Sequence, residues 1–293
     1  MTKALVLGGG GSVGIGWQTG LVAGLARGGV DLSTADVVIG TSAGSAVGAQ
    51  LTLGTDFETR LAAYRKPTSG ATLRSAPATG SGIAERMAAF MEVMAGAGQD
   101  DDPVAARRRI GEFALGADAL PEEQFVAGFR YLAGRPWPAT YRCTAVDAAS
   151  GEFVVWDAAA DVPLDRAVAS SCAVPGIFAP ITINGRRYID GGMRTGTNAD
   201  LAAGHDLVVL VSLMGDRPGL ADNPALARFR ARAEAELQVL TDGGARVETI
   251  TPDAEAGAAM GLNLMDGSIA PVAAEHGLRQ GEALAERLAA VWD

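Results

Sequence analysis

The chain runs to 293 residues, just under half of them hydrophobic, with two cysteines and a formal net charge of −10. Such a hydrophobic content supports a substantial core and argues against disorder. The acidic balance argues against nucleic acid as a partner and against standing attraction to an anionic bilayer, and leaves a neutral or transient lipid surface open. Cys143 and Cys172 cannot build a disulfide framework, no CxxC or Cys/His cluster suggests zinc, and both read as buried small hydrophobes.

The N-terminus lacks the pattern of a signal peptide, since Lys3 is followed only by Ala4-Leu5-Val6-Leu7 before glycines begin. No uninterrupted apolar stretch reaches membrane-spanning length, so a soluble, cytoplasmic protein is expected. Lys3 to Leu7 reads as a buried strand ending at Gly8-Gly9-Gly10-Gly11. Helical spacing follows through Trp17, Leu21, Val22 and Leu25 and closes at Gly28-Gly29. Val37 to Ile39 is a second strand and Ser45 to Leu53 a second helix. Strand, helix, strand and helix in such short order predict right-handed βαβ construction and a parallel sheet.

The middle of the chain changes character. Pro67 to Gly82 is rich in Gly, Ser, Thr, Ala and Pro and reads as a loop. Helical patches follow at Ile83–Met94, Val104–Leu115 and Pro121–Leu132, interrupted by the acidic Gln99-Asp100-Asp101-Asp102. This insertion, about residues 65–135, reads either as a cap over the sheet or as a plain helical layer. Met87, Met91 and Met94 recur at near-helical spacing, as core residues do. Thr140–Asp147 and Glu152–Trp156 make a hairpin, Leu164–Ser171 a helix, and Arg186–Ile189 a short strand ending at Asp190-Gly191-Gly192. Asp206–Leu213 and Arg246–Ile250 are further strands, flanked by helices at Asn223–Leu240 and His276–Val291. With no internal repeat and no linker, residues 1–293 are expected to form one domain.

Gly9-x-Gly11-x-x-Gly14 follows a strand and opens a helix, which satisfies the dinucleotide-binding pattern. That reading wants an acidic residue near the end of the second strand, yet this strand ends in Gly40-Thr41-Ser42, and Asp31 and Asp36 precede it. Nucleotide binding therefore stays as the alternative. Successive amides in a glycine turn before a helix also form an anion hole, able to hold the oxyanion of an acyl-transfer intermediate. Gly40-Thr41-Ser42-Ala43-Gly44 places a serine on the next strand-to-helix turn, where small neighbours hold a hydroxyl outward. Ser42 is thus either a nucleophile or a simple helix cap.

A nucleophilic serine needs a base. His205 and His276 are the only histidines, one just before a strand and one at a helix start. Asp190 is a better candidate, because two following glycines allow close approach and burial would raise its basicity. Its competing reading is an Asp-Gly hairpin turn.

Three motifs in order, Gly9-Gly10-Gly11-Ser12-Val13-Gly14, Gly40-Thr41-Ser42-Ala43-Gly44 and Asp190-Gly191-Gly192, resemble those of the patatin-like phospholipase family. The stretch from Ala169 to Pro180, with Ser170-Ser171-Cys172 and Val174-Pro175-Gly176, is similar as well. The likeness covers about residues 4–55 and 140–215. The resemblance implies a three-layer α/β/α sandwich with a mostly parallel sheet, and a lipid acyl hydrolase working through a Ser-Asp dyad without metal or organic cofactor. Ser42 would be the nucleophile and Asp190 the base, with the amides of Gly9, Gly10, Gly11 and Ser12 as oxyanion hole. Gly14, Gly40, Gly44, Gly191 and Gly192 would complete the motifs. The substrate would be a lipid or other acyl ester; a relative that transfers acyl groups, or keeps only the fold, is a further alternative. Many members carry Arg or Lys where Val13 stands, so a positive charge beside the site is missing here.

Overall fold

The computed structural model describes residues 1–65, 83–97, 100, 102–213 and 227–292. Strand β1 (Lys3–Leu7) leads into helix α1 (Gly11–Arg27), and β2 (Val37–Gly40) into α2 (Ala43–Thr52) and α3 (Phe57–Arg65). The middle holds α4 (Ile83–Ala97), α5 (Pro103–Gly116) and the short α6 (Glu122–Val126), which continues as a 3-10 turn over Ala127–Leu132. Then come the hairpin β3 (Tyr141–Asp147) and β4 (Phe153–Trp156), α7 (Leu164–Ser171), β5 (Ile181–Ile183), β6 (Arg186–Asp190) and β7 (Leu207–Val211). The chain closes with α8 (Ala227–Asp242), β8 (Arg246–Ile250), α9 (Ala254–Met260) and α10 (Ala270–Trp292).

The strands form one eight-stranded mixed sheet in the order β5-β6-β3-β2-β1-β7-β8, with β4 paired to β3. Its centre is parallel: β1 lies between β2 and β7, with Leu7 level with Gly40 on one side and Val211 on the other. Because side chains alternate across a strand, Leu5 and Leu7 face one layer with Trp17, Leu21 and Leu278. Ala4 and Val6 face the other, with Val208, Leu210 and Leu240. Helices therefore cover both faces, the arrangement a sheet buried on both sides requires. Alpha helices α1 and α10 meet at backbone contact: a Cβ added to Gly20 would lie 1.9 Å from the Ala274 carbonyl oxygen, and one at Gly277 2.1 Å from that of Trp17.

The middle segment divides its duties. Helices α4 and α5 pack Phe90, Ala106 and Ile110 over Val146 of β3 and Ile189 of β6, with Met87, Met91 and Met94 packed against the same cluster. Helix α6 and its 3-10 continuation instead lie against α7 and the segment after it: Leu120 exchanges backbone hydrogen bonds with Ile177 and Ala179. The loop expected over Pro67 to Gly82, and Gln99 and Asp101 of the acidic run, lie outside the described residues. Asp102 caps α5 by accepting from the Val104 amide. Both cysteines are free and buried. Among the described residues, no helix is long and apolar enough to cross a membrane.

Candidate active site

The turn from β2 into α2 sets Ser42 in an uncommon backbone conformation, φ 53° and ψ −120°. A non-glycine residue held there carries about 1–3 kcal/mol of strain, which the surroundings must impose. They do so from three directions. The Ser42 amide donates to Ser171 Oγ at 3.0 Å, and its carbonyl accepts from Ser45 Oγ at 2.6 Å and Cys172 Sγ at 3.1 Å. Neighbouring glycines leave the room this needs: a Cβ at Gly44 would lie 1.9 Å from the Leu7 carbonyl oxygen, and one at Gly40 2.5 Å from Ser45 Cα. The Ser42 side chain makes no capping bond to α2, so the simple helix-cap reading is corrected: the turn geometry points the hydroxyl away from the amides it would have capped.

Asp190 is its neighbour: the Ser42 hydroxyl lies close enough to favour the ionised Asp190 carboxylate, and the Gly192 amide donates to Asp190 Oδ1 at 2.7 Å. Asp190 is 2% exposed and Ser42 7%. Burial pushes the Asp190 carboxyl up from its ordinary 3.8 to about 7, against the smaller downward pull of the Ser42 and Gly192 hydrogen bonds. The hairpin reading of Asp190-Gly191 does not hold, since β6 runs into a 3-10 turn over Gly191–Met193. Gly191 is needed for contact rather than for a hairpin: a Cβ there would lie 2.2 Å from Thr144 Oγ1.

Neither histidine joins this pair. His205 precedes β7 at the end of the sheet opposite Ser42, with Nδ1 2.9 Å from the Ala202 carbonyl. His276 sits on α10 beside Arg279 and Glu255. Asp31 caps a short 3-10 turn and Asp36 accepts the Lys3 amide, so both serve the chain's own ends and turns.

The glycine loop lies against the same serine. A Cβ on Gly9 would be 3.4 Å from Ser42 Cβ. Gly9 itself is spent as a donor, its amide bonding the Gly196 carbonyl at 2.8 Å; this corrects its assignment to an anion hole. Gly10 and Gly11 open α1, and among the described residues their amides have no backbone acceptor. Gly11 has φ 58°, and a Cβ there would lie 2.5 Å from the Leu264 carbonyl oxygen. Ser12 follows in the first turn and lines the adjoining pocket. The amides of a helix's first turn and its dipole both favour an anion at this point. Val13 is fully buried and its amide donates to Leu264, so the position that carries a cation in many patatin-like proteins faces the core.

Ser42 and Gly11 border a partly open pocket of about 50 Å3, which Phe125, Phe129, Tyr131 and Phe178 also line. Phe125 stacks on Phe178 with centroids 3.8 Å apart and meets Phe129 edge-on at 5.2 Å. Among its lining residues none is charged.

Several residues of the site escaped sequence reasoning. The end of α7 and the residues after it grip both partners at once: Ser171 and Cys172 hold Ser42, while the Ala173 carbonyl accepts the Asp190 amide at 3.0 Å. That stretch was recognisable only as a motif, without a role. Asn198 also ties the site together, its side-chain amide reaching Thr41 Oγ1 at 3.0 Å and the Gly191 carbonyl at 3.3 Å. Its φ of 53° belongs to a left-handed conformation that asparagine tolerates well.

Residues 5–203 match the family described as patatin-like phospholipase. Proteins named "Uncharacterized NTE family protein" from Mycobacterium bovis and Mycobacterium tuberculosis are 36% identical over 86 residues, which is 29% of this chain and 23% of each relative. The match thus spans under a quarter of those relatives. Among solved structures, VipD from Legionella pneumophila aligns with a TM-score of 0.43 at 14% identity, over 98% of this chain and 67% of VipD. The type III effector protein ExoU aligns at 0.42 and 16%, over 98% of this chain and 53% of its own.

Proposed function

Because the chain belongs to the patatin-like phospholipase family, we propose that it is a serine acyl hydrolase acting on lipid or other acyl esters, with Ser42 as nucleophile and Asp190 as base. The observation that carries this reading is a buried carboxylate beside the Ser42 hydroxyl, Asp190, whose pKa stands at about 7. A base with a pKa near the working pH is both available in its charged form and strong enough to take a proton.

The chemistry follows from these groups. Asp190 takes the hydroxyl proton as Ser42 Oγ attacks the ester carbonyl carbon. The resulting oxyanion is held by the amides of Gly10 and Gly11, with Ser12 next in the turn; loss of one such donor typically costs about 3 kcal/mol. Protonated Asp190 hands its proton to the leaving alcohol, and an acyl-Ser42 ester remains. Water, deprotonated by Asp190, attacks that ester, and the proton returns to Ser42 Oγ as the carboxylic acid leaves.

The uncharged aromatic wall supports an acyl chain as the group bound beside Ser42. Its volume of about 50 Å3 is small beside the roughly 150 Å3 that holds a benzene ring. The carbonyl end and the first methylenes fit inside, and a longer chain extends through the mouth. Labelling by a fluorophosphonate probe, with hydrolysis of p-nitrophenyl butyrate, tests the assignment: wild type is expected to react and Ser42→Ala to do neither. Equal labelling of both proteins would sink it.

A further inference from the structure

The loop that follows Asp190 reaches a residue beside each part of the candidate machinery. Gly196 accepts the amide of Gly9 in the glycine loop, and the Thr197 carbonyl accepts Thr41 Oγ1 at 3.3 Å, one residue before Ser42. Asn198 bonds Thr41, Thr144 and the Gly191 carbonyl beside Asp190. The loop has no regular secondary structure of its own to fix these positions, apart from the turn over Ala199–Ala202.

One side chain from a distant element holds it. Glu236 projects from α8, 5% exposed, and three donors of the loop converge on it. Thr195 Oγ1 donates to Oε1 at 2.5 Å, while Thr197 Oγ1 and the Ala199 amide donate to Oε2 at 2.7 Å and 3.0 Å. Those donors flank Gly196 and Asn198, the two residues that reach the site. The nearby Arg194 is committed elsewhere: it pairs with Asp200 at 2.6 Å, stacks on Phe153 at 4.5 Å, and reaches Glu236 only at 3.5 Å. A buried carboxylate costs several kcal/mol of desolvation unless its hydrogen bonds are complete, and these are satisfied by the loop rather than by a salt bridge at closest range.

We propose that Glu236 is a positioning residue for acyl transfer, fixing the 195–199 loop so that Gly196 and Asn198 hold the glycine loop, the Ser42 turn and the Asp190 turn in one register. The inference rests on the Ser42–Asp190 reading. It also assigns a task within the site to a residue beyond the 5–203 span that matches the family. The loss of Glu236 leaves two hydroxyls and one amide without their acceptor, and the loop relaxes. A shift of about 1 Å at a reacting centre is worth up to about 100-fold in rate.

The test compares full-length wild type, Glu236→Ala, Glu236→Gln and Trp292→Phe on p-nitrophenyl butyrate, well below each protein's Tm. Trp292→Phe removes two hydrogen bonds, to the Asp31 carbonyl and Thr34 Oγ1, at the opposite end of the sheet, and serves as the control for lost stability alone. Glu236→Ala is expected to lower kcat by about tenfold or more with KM changed less than about twofold, the split of a transition-state alignment defect. Glutamine keeps an oxygen for Thr197 and Ala199, so Glu236→Gln is expected to restore kcat to within about threefold of wild type. Trp292→Phe is expected to lower Tm while retaining wild-type kcat. The inference is overturned if Glu236→Ala keeps wild-type kcat, if Glu236→Gln falls as far as alanine, or if Trp292→Phe loses kcat in proportion to its Tm. A wild type without Ser42-dependent hydrolysis overturns the underlying reading, and this one with it.

Discussion

Replacing Asp190 by asparagine is expected to move activity and stability in opposite directions, and only above a particular pH. The carboxyl titrates at about 7 in the folded protein against an ordinary 3.8. Below pH 4 both folded and unfolded chains carry the proton, so the wild type and Asp190→Asn should be about equally stable. As pH rises, the unfolded chain loses its proton first, and the folded wild type is progressively penalised until it too ionises near pH 7. Each pKa unit is worth about 1.4 kcal/mol, so the span from 3.8 to about 7 amounts to about 4 kcal/mol at pH 8. Asparagine, neutral throughout, escapes this penalty. The gain corresponds to a Tm roughly 6 °C higher at pH 8 for a chain of this size, with ester hydrolysis abolished at every pH. Thermal and urea unfolding from pH 4 to pH 8 reads the effect directly. A stability difference that stays flat across that range, or an Asp190→Asn protein weaker than wild type at pH 8, would refute the placement of a desolvated carboxylate beside Ser42. In the wild type the same group should make kcat/KM rise with pH about a midpoint near 7.

Other outcomes follow from the same geometry. Ser42→Gly should unfold at higher urea than Ser42→Ala, by about 1 kcal/mol, because glycine adopts the φ of 53° without strain. Gly11→Ala should lower kcat about 100-fold while the protein still folds, since the new Cβ must push the loop off the Leu264 carbonyl and misdirect the amides; steady-state hydrolysis beside a circular dichroism spectrum checks both halves. Phe125→Ala should cost about 3 kcal/mol in urea unfolding and raise kcat/KM for a longer nitrophenyl ester relative to butyrate, as the aromatic wall opens.

Much of the scaffold was legible because its signals are local. Lys3–Leu7 and Val37–Gly40 are apolar runs closed by glycine, and the β3–β4 pair is separated by a short turn, Ala148-Ala149-Ser150-Gly151. Helix α3 escaped notice because only Phe57 and Leu61 of its residues are buried, too few to set a period. Strand β5 is three residues long, and α9 barely two turns. Helix α10 begins at Ala270 rather than His276, and Pro271 in its first turn was the available sign. At the site, the glycine loop and the Ser42 turn could be placed side by side from strand order alone. The approach of Asp190 to Ser42, the grip of Ser171 and Cys172, and the reach of Glu236 could not. Each joins residues far apart in the chain, and no spacing rule encodes such a contact.

The end of α7 has a consequence for how this architecture tolerates change. Ser171 and Cys172 fasten the backbone of Ser42, and Ala173 fastens that of Asp190, so the two proposed reacting groups are registered to one short ruler rather than to each other through the intervening polypeptide. Insertions at the exposed turns between them, such as residues 133–136, can change length without re-measuring the Ser42–Asp190 pair, whereas Phe90, Ile110 and Phe125 stay tied to the core. For protein engineering this makes those exposed turns the place to graft new substrate-contacting structure, and Ser171 to Ala173 the three positions to leave alone.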